Sequence, residues 1–309
     1  MKKLLLTWFA VAVVLLSLTR LAGAQGVVLM PDSASNALVA FNPQTGALLT
    51  SNMFALGGGT PIHALQVGNE IWVSEQVGNR VSRWSFNGTY LGEIGGAAGG
   101  LSNVRGMALL GDTLYITNAG TANGAPGPAV VTYSVSLGAI TGNFSTVGLA
   151  PSPFGILAHQ GGLLVSSSSA NDDIHRFTLT GTSLGTFHNS TSLNFVEQLA
   201  FASNGQILAA AFSVPSVVAW LDPNSGAITN SFTANGARGV YQLGNGNVLW
   251  TSGTGTFVYD VTTATSTQVY AGAGRYLQFA PVPEPSALFS CALGGGLMLA
   301  ARRFIRRRS

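Results

Sequence analysis

The chain has 309 residues, 47% of them hydrophobic and only 8% charged, with 40 glycines, one cysteine and a formal charge of +3. That apolar content supports a packed core and excludes a wholly disordered chain. Eight of the 14 cations lie in the first 20 or last eight residues, leaving six arginines, no lysine and ten acids over 25–281; nucleic-acid binding is therefore not expected, because phosphate recognition needs a cation excess on the folded surface.

The N-terminus runs Met1-Lys2-Lys3, an apolar stretch from Leu4 to Leu18, then Ala22-Gly23-Ala24. A charged start, an apolar run and small residues are the pattern of a secretory signal peptide. Residues 1–24 are expected to be removed after Ala24, with Ala22 and Ala24 marking the cleavage site and the remainder exported across the inner membrane of a bacterium. The lone thiol, Cys291, falls in the C-terminal apolar segment, so the body at 25–281 is expected to have no disulfide and no cysteine chemistry.

Two columns of residues recur through the body. The aromatic one reads Phe41, Trp84, Tyr133, Phe177, Trp220, Tyr259, and the aliphatic one Val28, Ile71, Leu114, Leu163, Ile207, Val248. Both share a period of about 43 residues, the size of a four-stranded propeller blade. Their common long interval is explained by one glycine- and proline-rich insertion at 120–128. A glycine follows the aromatic in five repeats, at Gly46, Gly88, Gly138, Gly181 and Gly226, which predicts a turn into a fourth strand.

First strands are predicted to begin at Ile62, Arg105, Phe154, Glu197, Arg238 and Arg275. The last has no strands after it, and the opening segments around Val28, Phe41 and Thr50 have none before them. Joining the two closes an all-β, six-bladed β-propeller with an N-/C-terminal strand clasp. The segments Met30-Pro31-Asp32-Ser33-Ala34-Ser35-Asn36-Ala37-Leu38-Val39-Ala40-Phe41 and Val73-Ser74-Glu75-Gln76-Val77-Gly78-Asn79-Arg80-Val81-Ser82-Arg83-Trp84 resemble repeats of the NHL-type extracellular propellers. Later repeats carry Asn118, Ser167 and Ala211 where these have an acid.

In such a meander the first strands start at the mouth where the second-to-third-strand loops also converge. Arg105, Arg238 and Arg275 would share that ring with Glu197, and His63 would stand next to it. The ring is a candidate site for a carboxylate, sulfate or acidic sugar, which planar guanidinium groups suit; the neighbouring Gly106, Gly155 and Gly239 are expected to leave the arginines room. Catalysis has less support. Gly181-Thr182-Ser183-Leu184-Gly185 falls in a turn between strands rather than a nucleophile elbow, a calcium site would need more carboxylates than Glu197 at the channel, and only His63 with Glu197 could make an acid–base pair. No cofactor and no metal site are expected.

The chain ends with Val282-Pro283-Glu284-Pro285, an apolar segment over 286–301, and a cluster of Arg302, Arg303, Arg306, Arg307 and Arg308. Sixteen residues make about 24 Å of helix, a marginal span for a hydrocarbon core of roughly 30 Å, and the arginines would stay cytoplasmic. Together the three parts, over 282–309, resemble the PEP-CTERM sorting signal. The resemblance implies processing by an exosortase, transient anchoring in the inner membrane, and delivery to the envelope or extracellular matrix of a Gram-negative bacterium that makes exopolysaccharide. The function expected is binding or scaffolding. The alternatives are a propeller lyase or hydrolase acting at the channel mouth, and a structural surface protein without a specific ligand.

Overall fold

The computed structural model describes residues 26–168 and 174–281. The segments read as signal peptide and sorting tail lie outside the described residues, as do Asn171, Asp172 and Asp173. Val27–Ala280 form one compact unit. Among the described residues the only helices are two single 3-10 turns, Gly96–Ala98 and Ala122–Gly124, and none is long and apolar enough to cross a membrane.

Six four-stranded sheets make the six blades of a propeller. Their inner strands are Pro61–Val67, Val104–Leu110, Pro153–His159, Val196–Phe201, Gly239–Gln242 and, for blade 1, Gln278–Pro281. That last strand lies beside Gly26–Asp32, so the two ends of the body share one sheet and the edge of Gly26–Asp32 is paired where the ring closes. The clasp strand starts three residues later than the sequence suggests. Arg275 instead lies before the strand, where its backbone N–H donates to Pro31 O at 3.1 Å.

Burial follows strand position. Second strands such as Glu70–Glu75, Gly162–Ser167 and Ile207–Ala211 are almost wholly buried, whereas fourth strands such as Ala139–Ser145 and Thr265–Tyr270 face outward and are mostly exposed. A central strand of a blade packs neighbours on both faces, so it reads as a continuous apolar run. The core accordingly divides into one hydrophobic cluster at each of the six blade interfaces and a seventh on the axis.

The two sequence columns pair directly across strands in five blades: Val28 with Phe41, Ile71 with Trp84, Leu114 with Tyr133, Leu163 with Phe177 and Val248 with Tyr259. Blade 5 departs. There Ile207 faces Leu221, and Trp220 faces Leu208. One residue of offset puts a side chain on the other face of the sheet, so Trp220 packs toward blade 6 with Phe232 and Trp250 while its column mates pack toward the preceding blade. The result is uneven packing. The interface between blades 5 and 6 is aromatic, with Phe232 and Tyr259 stacked at 3.7 Å. The one between blades 4 and 5 is filled on the blade 5 side by Ile207, Ala209, Ala211, Ala219 and Leu221.

The predicted turn glycines all adopt positive φ: Gly46, Gly88, Gly138, Gly181 and Gly226. In blade 6 the same place is taken by Ala264, at φ 54°. Most of these glycines also lack room for a side chain. A Cβ on Gly226 would stand 1.9 Å from Phe187 O of the preceding blade, and one on Gly181 would stand 2.3 Å from the Phe144 side chain. Aspartate or asparagine four residues earlier folds some of these turns: Asp222 Oδ1 accepts the N–H groups of Asn224 and Ser225, and Asn42 Oδ1 those of Gln44 and Thr45, as in Asx turns.

Candidate functional site

At the start of each inner strand the neighbouring backbones come so close that side chains are excluded or shared. A Cβ on Gly106, Gly155 or Gly239 would stand 2.6, 2.5 or 2.3 Å from the carbonyl oxygen of Phe154, Glu197 or Arg275, each on the next blade. These glycines therefore serve the close approach of inner strands, and the expectation that they leave the arginines room is corrected. Hydroxyls from second strands stitch the same seam. Ser74 donates to Arg105 O, Thr117 to Phe154 O (2.8 Å), Ser166 to Val196 O (2.6 Å) and Thr251 to Arg275 O (2.8 Å). Blade 5 has Ala210 in that column, and Gln198 replaces the hydroxyl. Its Oε1 accepts the N–H groups of Val240 and Leu277, both at 2.9 Å, and its Nε2 donates to Leu277 O at 2.7 Å.

This scaffold fixes the charged mouth. Arg275 Nη1 lies 3.8 Å from Glu197 Oε2, and the charges of Arg275, Arg238 and Arg105 all act on that carboxylate. Each arginine reaches a second-to-third-strand loop or the start of the next blade. Arg275 Nε donates to Ser33 Oγ at 3.0 Å. Arg105 Nη1 donates to Ser152 Oγ at 2.9 Å, Pro153 O at 3.0 Å and Ser168 Oγ at 3.3 Å, and its guanidinium lies over the Phe154 ring at 4.4 Å. Arg238 lies over Phe212 at 5.3 Å. Phe195, held at φ 53°, links Phe154 and Phe212 edge-on at 4.9 and 5.3 Å, so a run of three aromatic rings spans from the Arg105 guanidinium to that of Arg238 along one side of the mouth. A bulky residue at positive φ is strained. Thr60 and Asn103 share the conformation just before inner strands, so at Phe195 the strain belongs to the repeat.

Electrostatically the mouth is cationic. Glu197 is only 2% exposed, and burial pushes its carboxyl up to about 7 despite the three arginines that pull it down. Burial lowers Arg105 to about 10, so it remains charged at neutral pH, and also lowers Arg275. Arg105 Nε and Arg238 Nε are buried without a hydrogen-bond partner. The other arginines with ion pairs are spent elsewhere: Arg80 joins Glu75 (2.7 Å) and Glu93 (2.9 Å), and Arg83 joins Glu70 (2.8 Å) over Trp72.

The axis below the mouth is filled. Ile62, Phe154 and Tyr276 form a buried cluster there, and the Tyr276 hydroxyl donates to Glu197 O. His63 lies against the Tyr276 ring at 5.3 Å and lines a separate cavity on the far side. No hydrogen bond or ion pair among the described residues joins His63 to Glu197. Burial pushes the His63 imidazole down to about 4, and its Nδ1 accepts the Met107 N–H at 3.1 Å. Among the described residues there is also no cluster of three metal-ligating side chains. The sequence columns place the three arginines beside Glu197, as the structure does, but they miss Tyr276 as the plug and Gln198 as the link across the axis. The hydroxyl column through Ser74, Thr117, Ser166 and Thr251 was the available signal for the seam.

No family model matches the sequence, and no curated protein is similar to it. In structure it is similar to a chain of a nidogen/laminin complex, at 13% identity over 82% of this chain and 98% of that one, with a TM-score of 0.67. It is also similar to a protein of unknown function from Bacteroides caccae, at 17% identity over 84% and 100% of the two chains with a TM-score of 0.62. A streptogramin B lyase matches at 12% identity over 86% and 77%, with a TM-score of 0.50. Identities this low carry the architecture and no ligand, and the architecture they share with this chain is an NHL-like β-propeller.

Proposed function

We propose that the chain is an exported β-propeller, sorted by an exosortase to the envelope or extracellular matrix of a Gram-negative bacterium, whose arginine mouth binds acidic exopolysaccharide. One observation carries the binding role. Three guanidinium groups surround a single carboxylate that burial has already pushed toward neutrality, leaving a net positive mouth walled by aromatic rings. Export and sorting rest on the terminal sequences alone. A binding role is favoured over chemistry because Ile62, Phe154 and Tyr276 fill the axis and His63 lies beyond the plug from the Glu197 carboxylate.

Binding is tested by retention on immobilised alginate, a uronic acid polymer, against neutral dextran. The chain should be retained on alginate alone, and an Arg238→Ala, Arg275→Ala double variant should bind about tenfold more weakly, as for loss of charge-assisted hydrogen bonds. Retention should strengthen as pH falls through about 7, since protonating Glu197 removes the negative charge set among the three arginines. Unchanged retention in the double variant would remove the arginines from the site, and equal behaviour on both polymers would favour a structural surface protein. Sorting is tested by fractionating cells with and without the exosortase and taking the intact mass of the product. The processed form should lack residues 286–309, and a product that keeps them in the presence of the enzyme overturns this part of the reading.

A further inference from the structure

The inner strands run from the charged mouth to the opposite face, and their second halves line a half-open cavity of about 190 Å³. Its walls include Leu65, Leu109, Ile156, Leu199 and Phe201, the last exposed at the rim. The arginine ring contributes nothing to it. Buried in its wall is His63, 5% exposed, whose Nε2 makes no hydrogen bond of normal geometry and whose ring has the Gln278 side chain beside it. Its tautomer follows from Met107. Because the Met107 N–H donates to Nδ1 at 3.1 Å, the proton of the neutral ring sits on Nε2, which makes that atom a donor.

The other polar side chains of the lining are largely committed. Gln198 uses both ends of its amide on Val240 and Leu277, and the Tyr276 hydroxyl is turned to Glu197 O. Gln278 alone can supply a second polar contact beside His63. A water molecule, at about 30 Å³, would fill a small part of such a space.

We infer that this cavity is a second binding site, on the face opposite the arginine mouth, for a compact uncharged molecule with an apolar body and one hydrogen-bond acceptor placed on His63 Nε2. An anion would be desolvated among Leu, Ile and Phe side chains without a cation to receive it, and an ammonium would meet a donor where it needs an acceptor. A ketone, ester or amide carbonyl on a hydrocarbon frame meets both requirements. The inference is independent of whether the arginine mouth binds glycan.

The test uses the full chain with 15N-labelled histidine and two probes of nearly the same shape, acetophenone and ethylbenzene, which differ in the carbonyl oxygen. Acetophenone should shift the His63 Nε2 resonance and bind about tenfold more tightly than ethylbenzene, the effect of one satisfied hydrogen bond. Ala158→Phe, which adds a ring at the cavity wall, should abolish binding of both probes in a chain that still melts cooperatively. His63→Phe should bring the two affinities together. Equal affinities in the unaltered chain, no binding of either probe, an unmoved His63 resonance, or binding that survives Ala158→Phe would each overturn the proposal.

Discussion

Glu197 and His63 are both buried near the axis, and burial makes their titration pull stability in opposite directions. For Glu197 the folded value is raised from 4.5 to about 7, so its contribution is fully present below 4.5 and is lost as pH rises through about 7. For His63 the folded value is lowered from 6.5 to about 4, so its contribution is present above 6.5 and is lost as pH falls through about 4. Each shift corresponds to roughly 3 kcal/mol at its limit, and over the shared window the two largely cancel. Replacing Glu197 by Gln removes one side of the balance. The melting temperature of Glu197→Gln, measured relative to the unaltered chain, should climb steadily from pH 4.5 to pH 8; a difference that stays constant across that range would show that the carboxyl is not held in its neutral form.

At the level of elements, what makes a ring of blades possible is how closely inner strands approach. Gly155 illustrates it. Its missing side chain lets Glu197 O come to where a Cβ would stand only 2.5 Å away, and the neighbour there is backbone, which cannot swing aside. Gly155→Ala should cost about 3 kcal/mol, at the upper end for overpacking a closed site. Gly142, on an exposed outer strand at ordinary φ with only Thr132 Oγ1 at 3.6 Å, should accept alanine within about 0.5 kcal/mol. Chemical denaturation of both variants checks the contrast, and equal costs would mean that inner-strand spacing has slack. The aromatic column teaches a related lesson. Its period was legible because each blade repeats one packing problem, yet in blade 5 the tryptophan sits one residue off and faces the opposite neighbour. A difference of one in a spacing near 43 looks like a loop variation in sequence. Only strand register turns it into a change of face.

For the molecule as a whole, closure is decided by the clasp. Gln278–Pro281 completes blade 1, and the residues leading into it bring Tyr276 to the axis and Leu277 to Gln198. A chain ending at Gly274 would lose the strand, the plug and that link together, leaving the edge of Gly26–Asp32 unpaired and open to association. It should lose its cooperative melt and aggregate. A chain ending at Pro281 keeps all three and should melt within a few degrees of the full chain; calorimetry and sedimentation distinguish the outcomes, and two similar melts would show that the ring does not depend on its clasp.

From sequence alone, the blade period, the six-fold count, the closure by the two ends of the body and the gathering of Arg105, Arg238 and Arg275 with Glu197 could be read, because repeated packing imposes repeated residue types at fixed spacing. The sequence could not show that Tyr276 fills the axis, that His63 lines a cavity Glu197 does not reach, or that Gly106, Gly155 and Gly239 serve the approach of neighbouring strands. Those depend on which residues from blades far apart in the chain meet at the centre, and on how closely the backbones approach there. Such facts come into being only when the ring has closed.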